Sequence, residues 1–132
     1  MITEDYVSFE IAKLLKEKGF NIACEYQYIN CSSEHPFLTD IRDDAGCYYK
    51  NTEIGQDEYS APTLQMAMKW LRETYDIDFD IITTGSRHVR RYHLAIWENK
   101  DEEMVTINPI GYFNKWEQAC EAAIKYCLEN LI

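Results

Sequence analysis

No apolar run in this 132-residue chain approaches the roughly 20 residues that a membrane-spanning helix needs. Glu4 and Asp5 stand where a signal peptide would carry basic residues, so the expected location is cytoplasmic. Five cysteines are then expected to be thiols rather than bridges, and the acceptor sequence Asn30-Cys31-Ser32 has no glycosylation to receive. Basic residues are scarce as well. Thirteen Lys and Arg face 23 Asp and Glu, and a net charge of −10 argues against general nucleic-acid affinity while favouring basic partners. There is no G-x-S-x-G elbow, H-E-x-x-H, P-loop or dinucleotide fingerprint, so no catalytic residue and no cofactor is assigned. Neither an internal repeat nor a low-complexity linker appears, and the expectation is a single domain, 1–132.

What is present is an apolar fraction of 46% with 14% aromatics, enough for a real core. The chain is organised around residues 59–81. Ser60 reads as an N-cap with Pro62 in the first helical turn. Leu64, Ala67, Met68, Leu71 and Tyr75 repeat at helical spacing, widened by Met66 and Trp70, which reads as core packing. At Asp76 the period falls to two: Ile77, Phe79 and Ile81 alternate with Asp76, Asp78 and Asp80. An EF-hand would need Gly and Glu where Ile81 and Arg87 stand, so the acidic alternation is no calcium loop.

Before this centre, residues 4–18 read as a helix with Thr3 as cap and Gly19-Phe20 as a Schellman stop. Residues 22–31 read as a strand, and 32–58 as a hairpin with a long irregular loop and a β-like patch at Cys47–Tyr49. After it, Gly85-Ser86 reads as a hairpin turn that pairs Phe79 with Tyr92 and Ile77 with Leu94. The same register sets Asp80 against Arg91 and Asp78 against His93. A second turn over Asn99–Glu102 pairs Ile96 with Val105, Leu94 with Ile107 and Trp97 with Met104. Asn114, with Glu117, is expected to cap a last helix whose stripe includes Trp116, Ala119, Cys120, Ala123 and Cys127. The fold class is therefore α+β: an N-terminal helix and short β region, then α-β-β-β-α with helices on one face of an antiparallel sheet. Double-stranded-RNA-binding domains share that order with many unrelated domains, and topology alone implies no function.

Three segments, SFEIAKLLKEKGF, YSAPTLQMAMKWLRE and ACEAAIKYCLENLI, resemble a family of short uncharacterised proteins from prophages and mobile elements of gut Bacteroidales. The resemblance implies a phage or mobile-element origin and carries no catalytic residues.

Cys24, Cys31, His35 and Cys47 form the one candidate zinc set, but six, three and eleven intervening residues lack the close ligand pairs of structural zinc sites. Ordinary thiols are the simpler reading. RHVRRYH, residues 87–93, is a basic island that could hold a phosphate, against which Asp78 and Asp80 are expected to neutralise it across the hairpin. The sequence favours a non-enzymatic interaction or accessory protein. Its partner surface would be the outer sheet face bearing Arg91, His93, Trp97 and Met104, met by a second copy in a homodimer or by another protein. A small enzyme and an acidic DNA-mimic inhibitor of a nuclease are the alternatives. The first needs a pocket joining Cys or His to carboxylates, and the second needs dense carboxylate rows, whereas these acids are dispersed.

Overall fold

Residues 2–29, 35–40, 46–100, 103–107 and 111–132 are described by a computed structural model, with side chains outside 99–100 and 103–107. Two compact units, Met1–Thr63 and Leu64–Ile132, each combine helix with an antiparallel three-stranded sheet, so the chain is α+β.

In the first unit, helix α1 (Phe9–Glu17) starts later than its apolar pattern suggests. Ser8, not Thr3, is the cap, its Oγ accepting the Ile11 N–H at 3.4 Å. The residues before it stay extended because Val7 donates to the Pro62 carbonyl at 3.0 Å and Tyr6 bridges to Thr63. The end of the helix is the expected Schellman motif. Phe20 N–H reaches Leu15 O at 2.9 Å and Gly19 N–H reaches Lys16 O at 3.1 Å, with Gly19 at φ +88°. Phe20 then packs into a core with Val7, Ile11, Ala12 and Leu15.

Strands β1 (Tyr26–Ile29), β2 (Phe37–Asp40) and β3 (Tyr59–Ser60) pair in the order β2-β1-β3. The β-like patch at Cys47–Tyr49 contributes one bridge, Tyr49 to Cys24. A 3₁₀ turn (Asn51–Glu53) follows. Asn51 is buried and ties two elements together: its Nδ2 donates to Phe20 O at 2.8 Å and its Oδ1 accepts Ser60 N–H at 2.9 Å.

The second unit runs α2 (Leu64–Tyr75), β4 (Ile77–Gly85), β5 (Arg90–Lys100), β6 (Glu103–Ile107) and α3 (Trp116–Asn130), with sheet order β4-β5-β6. Ser60 does not cap α2. It pairs with Gln27 in the first sheet, and the helix begins four residues later at Leu64. Leu64, Ala67, Met68, Trp70 and Leu71 are buried, whereas Tyr75 at the end of the stripe is exposed. Asp76 then reverses the chain at φ 55°, a left-handed conformation that Asp tolerates better than most side chains. Helix α3 starts at Trp116 behind Lys115, one residue past the expected Asn114 cap, with no side-chain capping bond. Its buried side carries Ala119, Cys120, Ala123, Ile124, Cys127 and Leu128.

Both hairpin registers differ from the sequence expectation by an even number of residues. Phe79 faces Ile96, Ile81 faces Leu94 and Ile77 faces Glu98, a shift of four. An even shift leaves every side chain on its expected face, so alternation could not select between the two registers. The turn decides it. Ser86 and Val89 exchange backbone bonds of 2.9 and 3.3 Å around Arg87-His88, and Ser86 Oγ accepts the His88 and Val89 N–H groups at 3.4 and 3.3 Å. Gly85 ends β4 at φ +102°, where a Cβ would lie 2.1 Å from Val89 O. The second hairpin is shifted by two: Ile96 faces Ile107, Trp97 faces Thr106, and Lys100 faces Glu103.

Leu94, Ile96 and Ile77 share the sheet face under the helices and are buried there. Arg91, His93, Ala95 and Trp97 alternate onto the other face, with Ile82 and Asp80 beside them on β4. Among the described residues no helix is long and apolar enough to cross a membrane.

Candidate functional site

The shifted register rebuilds the outer face of the second sheet. Asp78 lies opposite Trp97 and Asp80 opposite Ala95, so neither faces His93 or Arg91 as expected. Asp80 instead accepts the Trp97 indole N–H, Nε1 to Oδ2 at 2.6 Å. That bond anchors the indole, and Trp97 is half-buried rather than the fully open side chain that the alternation suggested. Met104 faces Asn99, not Trp97, and its side chain lies outside those described.

Arg91 and His93 face Thr84 and Ile82. His93 Nε2 and Thr84 Oγ1 share a hydrogen bond of 2.9 Å. Both basic side chains converge on Tyr112, which no pattern in the sequence singled out. The Arg91 guanidinium sits 4.5 Å from the Tyr112 ring centroid, and the His93 ring lies 6.1 Å from it at 55°. Tyr112 is held there by the next residue. Phe113 and Tyr92 exchange two backbone bonds of 2.8 Å, which extends the β6 edge of β5 toward the hairpin tip. The partner strand is about twenty residues away in sequence, so no local spacing marks the contact.

Arg87, His88, Arg90 and Arg91 are all exposed at this tip, and among the described residues none forms an ion pair with a carboxylate. Apolar surface adjoins them: Ile82, Val89 and Tyr112 retain 50%, 55% and 50% of their accessible area. The tip is thus cationic and partly apolar in a chain of net charge −10.

Neither a protein-family model, nor a curated protein, nor a solved structure matches the chain.

Among the described residues the other sequence candidates do not gather into one site. Cys24 is buried, its Sγ donating to Ile22 O at 3.3 Å, and burial pushes its thiol up to about 12. Cys47 and His35 are exposed, and Cys31 lies outside the described residues. Among the described residues no three His, Cys, Asp or Glu side chains gather to hold a metal. Cys120 and Cys127 are core on α3, as their spacing suggested. Burial, with the Glu98 carboxylate nearby, raises the Cys127 thiol to about 12. The adjacent carboxylates Asp43–Asp44, which read as solvated loop residues, lie outside the described residues, as does Glu102 of the pair Glu102–Glu103.

Two concavities stand out. One, of about 300 Å³, lies on the helix side of the second sheet between Gln65, Met68, Arg72, Phe79, Ile81 and Trp116. The other, of about 270 Å³, lies in the first unit. Neither is lined by cysteine, histidine or serine, and the second carries the carboxylates of Glu53 and Glu58.

Proposed function

We propose that the protein is a non-enzymatic interaction module. It engages an anionic partner protein through the β4–β5 hairpin tip and the adjoining outer sheet face. The observation that carries this reading is the hairpin register. It moves Asp78 and Asp80 away from Arg91 and His93, and among the described residues Arg87, Arg90 and Arg91 form no ion pair beside exposed Val89, Ile82 and Tyr112. Arginine and aromatic side chains are the residues that interfaces enrich, and an Arg preset on a Tyr ring loses less freedom on docking. A two-fold contact of the tip with itself would set arginine against arginine, so a different, acidic surface suits it better than a second copy does. The phage or mobile-element setting rests on the three resembling segments alone and belongs to the same proposal.

Affinity capture with the full chain tests it. Capture should be saturable, should fall as salt is raised, and should be lost in an Arg91→Ala/Tyr112→Ala variant whose unfolding midpoint is unchanged. Equal capture by wild type and variant would remove this surface from the account.

The same exposed arginines favour a second reading, a phosphate-bearing ligand gripped by Arg87, Arg90 and Arg91. It requires direct binding of a short RNA or DNA with a steep salt dependence. The overall charge of −10 opposes that at long range.

A further inference from the structure

The cavity of the first unit is walled by Gln27 of β1, Tyr49, Glu53 of the 3₁₀ turn, Ile54, Gly55 and Glu58. Its rim is a built loop. Glu58 N–H bonds Gly55 O at 3.1 Å, and Gly55 N–H bonds Glu58 Oε2 at 3.2 Å. Lys16 Nζ fastens the loop from outside by donating to the carbonyls of Gly55 and Glu58, both at 2.8 Å, while lying 5.1 Å from the Tyr59 ring centroid. Glu53 Oε1 accepts the Lys50 N–H at 2.9 Å. Each carboxylate therefore uses one oxygen on the backbone and keeps a second. Among the described residues neither forms an ion pair.

Gln27 supplies an independent observation. It is central in the sheet and 6% exposed, and among the described residues its buried Oε1 has no hydrogen-bond partner. Buried side-chain oxygens are nearly always bonded, and leaving one unmade is costly enough to need an explanation. Ser60, directly opposite on β3, also has a buried Oγ without a partner among the described residues. Strand pairing thus sets Gln27 opposite Ser60, and Gln27 lines a cavity rimmed by two carboxylates.

We infer that this cavity binds a primary ammonium group, carried either by a free polyamine or by a lysine side chain of a partner. The side-chain groups offered, an amide oxygen and two carboxylate oxygens, are acceptors, and an ammonium presents three donors. Tyr49 offers a ring to the cation and Ile54 an apolar wall to its methylene stem. A bare divalent cation is a poorer match, because one amide oxygen and two carboxylates fall short of the roughly six to eight oxygens that calcium gathers. Lys16 is no internal occupant, since it bonds the carbonyls of this loop and neither carboxylate.

The test is a titration of the full chain, followed by NMR at the Gln27 side-chain amide and the Gly55 N–H. The probes are 1,4-diaminobutane, a capped lysine, and the N-trimethylated form of each. Both amines, or one of them, should give saturable shifts at Gln27 and Gly55, and the trimethylated forms should not. Binding of the diamine alone assigns a free amine, and binding of the capped lysine alone assigns a partner's side chain. Glu53→Gln/Glu58→Gln, which keeps both backbone-accepting oxygens, should weaken binding about tenfold or more. Gln27→Met should weaken binding while leaving the free protein's unfolding midpoint unchanged or raised. No saturable shift with either amine, equal binding of the trimethylated probes, or a lowered midpoint in Gln27→Met would each overturn the inference.

Discussion

Single residues in this protein carry two kinds of backbone constraint that differ in cost. Gly19 and Gly85 both sit at positive φ, but a Cβ on Gly19 meets nothing within 4 Å, whereas one on Gly85 would lie 2.1 Å from Val89 O. Gly19→Ala should therefore cost about 1 kcal/mol, the conformational term alone. Gly85→Ala should cost about 2–3 kcal/mol or force the hairpin tip to rearrange. Urea unfolding of the two variants ranks them, and the reverse order would show that the turn is not built as described. The buried thiols give a pH signature. Cys24 and Cys127 are raised from 9.0 to about 12, so the folded chain holds protons that the unfolded chain releases. Stability is unaffected below about pH 9 and falls from there toward pH 12, by roughly 1.4 kcal/mol per unit for each thiol. Tyr6, raised mainly by burial, pulls in the same direction at higher pH. Unfolding midpoints measured from pH 8 to 11 should decline, and Cys127→Ser should flatten that decline in proportion.

At the scale of elements, helix existence was legible and helix beginnings were not. Apolar spacing marked α1, α2 and α3, yet Thr3, Ser60 and Asn114 each lost the cap position, two of them for long-range reasons. Val7 is drawn into a backbone bond with Pro62, and Ser60 into pairing with Gln27. The strands show the complementary limit. Alternation placed Leu94 and Ile96 inside and Arg91, His93 and Trp97 outside, because a strand's faces follow its own period. Register depends on the turn, and Gly85 looked like a turn residue when Ser86 is the one whose hydroxyl closes it. The anchoring of Trp97 by Asp80 follows from that register and was invisible before it. Asp80→Ala should free the indole, raise its fluorescence exposure to quenchers, and cost about 1 kcal/mol, as for one partly exposed hydrogen bond to a charged group. An unchanged quenching constant would mean that the bond does not hold the ring.

For the whole molecule, charge and location separate what bulk composition suggests from what the surface offers. A chain of net charge −10 is expected to attract cations generally, and the cavity at Gln27, Glu53 and Glu58 fits that sign. The hairpin tip has the opposite sign, concentrated in Arg87, Arg90 and Arg91 around the exposed Val89. Such a local reversal, beside an aromatic ring that holds one guanidinium, is a feature of place and not of composition. Its role is separable from net charge by comparing two variants of equal charge. Arg90→Glu/Arg91→Glu reverses the tip, and Lys13→Glu/Lys69→Glu reverses two exposed lysines on the helices α1 and α2. Partner binding measured side by side should be lost in the first and retained in the second, with both folded to the same midpoint. Equal loss in the two would show that overall charge governs association, and would contradict the assignment of the hairpin tip as the binding surface.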